Sequence, residues 1–318
     1  MTDLPIRVDI TEEGPREGFQ IEPGTIPTPD KIALIEAHSA TGAKRIQVAS
    51  FVNPKIVPGW ADAEAVVAGF TPHPGVEYTA LWFNAAGLGR VQAFADRLAV
   101  QGSITVTGSE AFTKKNLNRS HAEQLAAQRK HVATHHAASV PMNRVSLQAA
   151  FGCNYSGAVP ATQAMAALHD AMHLAAETGC SIEKISLADS MGWANPALVE
   201  RLVGAVREAY PAQKISLHLH DTRGLGIACA AAGLRLGVSM FDAAVAGLGG
   251  CPFAGHPGAP GNIATEELVF LCEEMGVATG IDLDALIAAA QLAERIVGHR
   301  LPSNLLRSGG LAAFRRAA

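Results

Sequence analysis

His218-Leu219-His220, followed at once by Asp221 and Thr222, sets two imidazoles two residues apart. The run before it, Lys214-Ile215-Ser216-Leu217, alternates as a β-strand does, and side chains on a strand change face at every residue. His218 and His220 then share a face. Two neutral imidazoles on one rigid face are half of a divalent-metal site, and the same pair also suits two hydrogen-bonded core histidines. Further polar clusters stand elsewhere in the chain: Gly14-Pro15-Arg16-Glu17-Gly18-Phe19-Gln20, Ser50-Phe51-Val52, Asp189-Ser190-Met191-Gly192, the glycine-rich Ala246-Gly247-Leu248-Gly249-Gly250-Cys251-Pro252, and Gly261-Asn262-Ile263-Ala264-Thr265-Glu266.

The elements that must position these groups follow from recurring β-rich runs, each succeeded by a turn signal and an Ala/Leu/Glu-rich helical segment. Strands are expected at Arg7 to Thr11, Arg45 to Ala49, Glu77 to Leu81, Ser103 to Thr107, Val145 to Ala149, Lys184 to Leu187, Lys214 to Leu219 and Met240 to Val245. Helix starts are marked by Pro29-Asp30, by the capping-box pattern Ser120-His121-Ala122-Glu123 and by Pro196. Eight alternating units imply an α/β protein, a (β/α)8 TIM barrel. Asp282 to Val297 reads as an added helix, Arg300 to Arg307 as a loop returning towards the barrel, and Pro302-Ser303-Asn304 as a turn near the active face. The division expected is a barrel domain over 1–280 and a C-terminal helical extension over 281–318 packed on it. His131, His135 and His136 fall in an Ala- and Gln-rich helix, which suits a solvated or partly packed face better than a metal site.

Composition narrows the function. The 318 residues are 48% hydrophobic and 17% charged, with a formal net charge of -4, so a large core is available and there is no basic footprint for nucleic acid. No apolar stretch reaches membrane-spanning length and the first residues lack the pattern of a signal peptide, so a cytoplasmic protein is expected, with no membrane partner. Its five cysteines are widely spread and read as reduced thiols.

In such barrels the reacting groups sit at the carboxyl ends of the strands, which is where each polar cluster falls. A carboxylate, two imidazoles and an amide oxygen form a mixed O/N set around a hard or borderline divalent ion, Mg²⁺ or Mn²⁺ rather than structural zinc. The candidate ligands are Glu17, His218, His220 and Asn262. Asn262 also suits a helix cap before Thr265-Glu266. Cys251 suits proton transfer from a movable glycine-rich loop, or simply a small residue in a tight turn.

These motifs together resemble the 3-hydroxy-3-methylglutaryl-CoA lyase family of metal-dependent barrel lyases. The resemblance runs from Gly14-Pro15-Arg16 through Ser50-Phe51-Val52-Asn53-Pro54-Lys55, Phe112-Thr113-Lys114-Lys115-Asn116, Gly152-Cys153 and His218-Leu219-His220-Asp221-Thr222 to Val245-Ala246-Gly247-Leu248-Gly249-Gly250-Cys251-Pro252. It implies that His218, His220 and Asn262 bind the cation, with Glu17 in place of the usual Asp. It further implies that Arg16 stabilises an enolate oxygen, that Cys251 carries a proton, and that Asp189 and Glu266 support the site. The reaction implied is retro-Claisen cleavage of a 3-hydroxy-3-substituted acyl-CoA thioester by a homodimer. Three positions depart from the family pattern: Glu17, Gln47 where a glutamate is usual in the second strand, and Pro23 where a Lys is frequent. A Claisen-type condensing enzyme shares the His pair and barrel but lacks the Gly249-Gly250-Cys251 loop. A non-catalytic metal- or ligand-binding barrel is the remaining alternative.

Overall fold

The computed structural model describes residues 4–250 and 259–315. Its main strands are β1 (Asp9–Glu12), β2 (Arg45–Ser50), β3 (Glu77–Leu81), β4 (Gly102–Thr107), β5 (Met142–Gln148), β6 (Lys184–Ala188), β7 (Lys214–His218) and β8 (Met240–Ala243). They form one sheet in the order β3-β2-β1-β8-β7-β6-β5-β4. The principal helices are α1 (Thr28–Ser39), α2 (Ala63–Gly69), α3 (Ala85–Gln92), α4 (His121–Ala137), α5 (Ala161–Glu177), α6 (Pro196–Ala209), α7 (Gly226–Arg235), α8 (Thr265–Glu274) and α9 (Leu283–Val297). This alternation of parallel strands and helices is the (β/α)8 barrel class expected from the sequence. The described residues form two compact units, one of Ile6–Ala99, Asp242–Gly250 and 262–315, the other of residues 4–5, Val100–Phe241 and 259–261.

In the first unit β1 pairs with β2 and β2 with β3, all parallel. Ile46 and Val48 of β2 and Leu34 and Ile35 of α1 are fully buried, so the helix lies on the strand through its apolar stripe. The added helix α9 is capped by Asp282, whose carboxylate accepts the Ala285 N–H at 3.0 Å. It packs on α1 and α8 and buries Leu286, Ile287, Ala289, Ala290 and Ala293. Arg300 to Arg307 is a loop only as far as Asn304, because Leu305–Ser308 forms one more helical turn.

In the second unit the ladders β4–β5, β5–β6 and β6–β7 are parallel, β5–β6 and β6–β7 in step and β4–β5 with a register shift between Gly102 and Ser103. Ser146, Ser186 and Ser216 lie across from one another in one row, and Leu147, Leu187 and Leu217 in the next. The leucines carry the packing: a Cβ on Gly233 of α7 would come within 2.5 Å of Leu217 Cδ1. Because the pleat alternates, Ser216, His218 and His220 face away from that helix layer. The Ser120 capping box is present in both halves, with Glu123 N–H donating to Ser120 Oγ at 3.2 Å and Ser120 N–H to Glu123 Oε2 at 2.7 Å. The histidines of α4 are partly packed, as expected. His135 is buried, its ring stands 4.1 Å from that of His131, and burial pushes His131 down to about 4.

Three strands, β5, β7 and β8, stop short of the expected bounds, β7 at His218. β5 stops at Gln148 because Ala149 takes a left-handed backbone, φ 47°. β8 stops at Ala243, since the Val245 N–H turns to the Glu12 carboxylate at 2.9 Å and Ala246 takes φ 57°.

Candidate active site

β1 delivers two consecutive acids, Glu12 and Glu13, into a five-residue turn, Gly14–Gly18. The Glu13 carbonyl accepts the Arg16 and Glu17 N–H groups at 3.1 and 2.7 Å, which winds the turn and sets both side chains. Both ends of the turn demand glycine. A Cβ on Gly14 would stand 2.6 Å from Glu12 Oε1, and one on Gly18 2.8 Å from Leu248 Cβ.

Arg16, 7% exposed, is held from three directions. Its Nε donates to Gln47 Oε1, and its Nη2 donates to Glu13 Oε2 at 3.1 Å and to Glu17 Oε2 at 3.0 Å. The other oxygen of Glu17 accepts from Asn262 Nδ2 at 2.9 Å, and the same amide nitrogen donates to Leu248 O at 3.1 Å. Both amide protons of Asn262 are thus used, while its Oδ1 is buried with no hydrogen-bond partner among the described residues. A buried unpartnered oxygen costs roughly 1–3 kcal/mol, and a cation beside it removes that cost. Asn262 is no helix cap, since the residue before α8 is Ala264 and the α8 N-cap has no side-chain hydrogen bond.

Glu12, missed by the sequence reading, is 1% exposed and ties this turn to the loop after β8. It accepts the Gly14 N–H at 2.7 Å, the Val245 N–H at 2.9 Å and the Thr265 hydroxyl at 2.6 Å. Burial pushes its carboxyl up to about 7 against the pull of those donors. Glu266 lies behind the same loop. Fully buried, it accepts the Ala246 N–H at 3.1 Å, so it secures the residue whose backbone is left-handed, and burial pushes it up to about 7.

The second unit holds the imidazoles. The Nε2 atoms of His218 and His220 are 3.3 Å apart, with ring centroids at 5.3 Å. Two nitrogens bound at about 2.1 Å to one ion at adjacent octahedral positions stand about 3 Å apart, so the pair fits a shared cation. Asp189, 1% exposed, donates its N–H to the His218 carbonyl at 2.8 Å. Its carboxylate accepts the Trp193 and Ala194 N–H groups at 2.7 and 3.1 Å, and burial raises it to about 6 against those donors. Asp221 accepts the first N–H of α7, from Gly226, at 2.7 Å and so fixes the chain leaving the His pair. Of the expected residues, Arg16, Glu17, Asn262 and Glu266 gather in one unit and His218, His220 and Asp189 in the other. Cys251 lies outside the described residues.

The HMGL-like family model matches residues 7–293. The chain is 39% identical over 316 residues to hydroxymethylglutaryl-CoA lyase of Bacillus subtilis, covering 95% of this chain and 97% of that protein. It is 40% identical over 284 residues to the mitochondrial hydroxymethylglutaryl-CoA lyase of Gallus gallus, covering 89% and 91%. Among solved structures it is similar to an HMG-CoA lyase from Acinetobacter baumannii in complex with coenzyme A and 3-methylmalate. That match has a TM-score of 0.84 at 36% identity and covers 98% of this chain and 97% of the other.

Proposed function

The chain belongs to the HMGL-like family, and from that premise we propose that it is a divalent-metal-dependent carbon–carbon lyase acting on a 3-hydroxy-3-substituted acyl-CoA. The leading substrate is 3-hydroxy-3-methylglutaryl-CoA, cleaved to acetyl-CoA and acetoacetate. One observation carries the reading: Asn262, Glu17 and Arg16 form a single hydrogen-bonded group that presents a carboxylate, an unpartnered amide oxygen and a guanidinium together. Glu17, Asn262, His218 and His220 would hold Mg²⁺ or Mn²⁺, which when bound supplies Lewis-acid polarisation of substrate oxygens.

In the reaction the 3-hydroxyl loses its proton, the C2–C3 bond breaks, and its electron pair passes into the thioester fragment as an enolate that is then protonated at C2. Arg16 suits the enolate because its guanidinium is desolvated and already oriented, so no reorganisation is needed as the charge develops. Asn262 orients Glu17, and Glu12 and Glu266 hold the loop after β8 against the Arg16 turn. Cys251 remains the proposed proton carrier. Residues 1–280 are read as the catalytic barrel, with 281–318 as an extension. The cellular setting proposed is a cytoplasmic homodimer, for which the free thiols of Cys153, Cys180, Cys229 and Cys272 are suited.

Purified protein supplied with Mg²⁺ or Mn²⁺ is expected to release acetyl-CoA from 3-hydroxy-3-methylglutaryl-CoA, and a panel varying the C3 substituent ranks its substrates. Failure to release acetyl-CoA from every member of that panel would falsify the assignment.

A further inference from the structure

The Arg16 side chain is 8% exposed, and a cation so buried requires a carboxylate beside it. Among the described residues three groups reach the guanidinium, and they are not equivalent. Gln47 offers Nε a dipole but no charge. Glu17 is already engaged from its other side by Asn262, and under the lyase reading its charge is shared with the divalent cation. Glu13 lies against Nη2 at 3.1 Å with 6% of its side chain exposed. Its backbone is fixed at both ends: the N–H donates to Ala243 O of β8 at 2.8 Å, and the carbonyl accepts from the Arg16 turn. Gln47 Nε2 approaches Glu13 Oε1 at 3.5 Å, closing a ring of Arg16, Gln47 and Glu13.

We propose that Glu13 is the positioning residue for Arg16, the carboxylate that balances and aims its guanidinium, with Gln47 as a neutral brace. The acids of the turn then divide the work, Glu17 serving the cation and Glu13 the arginine. The description of Arg16 as facing an enolate rests on the lyase reading; the charge balance around it does not.

The test compares Glu13→Gln with the double variant Glu13→Gln/Gln47→Glu, which moves the negative charge to the Nε side of the same guanidinium. Glu13→Gln is expected to lower kcat about tenfold or more while KM and the Mn²⁺ dissociation constant stay within about threefold. The double variant is expected to recover most of the lost kcat. Wild-type turnover in the single variant, a double variant as slow as the single, or a loss of Mn²⁺ affinity matching the loss of kcat would each overturn the proposal. Should the wild-type protein itself turn over no thioester, the lyase reading falls alone. The charge exchange is then read from the melting temperature, lowered in Glu13→Gln and restored in the double variant, with an unrestored Tm counting against Glu13.

Discussion

Gly249 stands against two residues of the candidate site. Its φ is +84°, and a Cβ there would stand 2.8 Å from Asn262 Nδ2 and 3.1 Å from Glu17 Cγ. Gly249→Ala therefore carries a left-handed backbone penalty of about 1 kcal/mol and drives a wedge between two proposed ligands. The expected outcome is a loss of about tenfold or more in Mn²⁺ affinity, by calorimetric titration, and a parallel fall in kcat/KM. Unchanged Mn²⁺ binding would remove Glu17 and Asn262 from the ligand set. At this scale the sequence was informative where position alone assigns a role. The His218/His220 spacing needs only the strand period, and Arg16 and Glu17 need only a place after the first strand. Glu12 and Glu13 were missed because two adjacent acids at a strand end look like solvated surface. Only folding brings Val245 N–H and Thr265 to Glu12, whereas Arg16 reaches Glu13 within a single turn.

The elements show how a buried polar group inside a helix affects the whole packing layer. His38 in α1 is fully buried, both ring nitrogens lack hydrogen-bond partners among the described residues, and Nδ1 stands 3.9 Å from Glu12 Oε2. Burial pushes the imidazole down to about 3, so it is neutral in the folded protein. An unfolded chain takes up a proton at His38 below its ordinary value of 6.5, so this group withdraws stability as pH falls from 6.5 towards 3 and is neutral in effect above 6.5. His38→Leu removes both the unpartnered nitrogens and that proton linkage. It is expected to raise the unfolding free energy by about 1–3 kcal/mol at pH 8, with a further gain of about 2 kcal/mol at pH 5. Urea titrations at the two pH values check this, and an equal gain at both would exclude the linkage. Element starts were legible because their signals are local: Pro29, the Ser120/Glu123 box, Pro196 and Asp282 act within one helical turn. The end of β8 was not, because the acceptor that draws Val245 away from the strand is Glu12, 233 residues earlier.

Across the whole molecule, a divalent ion held by the proposed ligands would bind only the folded chain and stabilise it by mass action. Mn²⁺ at about 100 times its dissociation constant is expected to add about 2.7 kcal/mol of stability, lost on chelation. Glu17→Ala and His220→Ala should each abolish that gain in thermal melts with and without chelator. A variant that kept it would show that its residue is not a ligand. The sequence by itself determined the barrel class, the alternation that points His218 and His220 one way, and the strand ends that carry Arg16, Glu17 and Asn262, because these depend on periodicities of 2 and 3.6 and on turn chemistry within a few residues. Tertiary structure decided which carboxylate does what. Whether an acid is buried and which distant donors it meets are set by contacts between residues such as Glu12 and Thr265 or Glu17 and Asn262, far apart in the chain, and no local pattern encodes them.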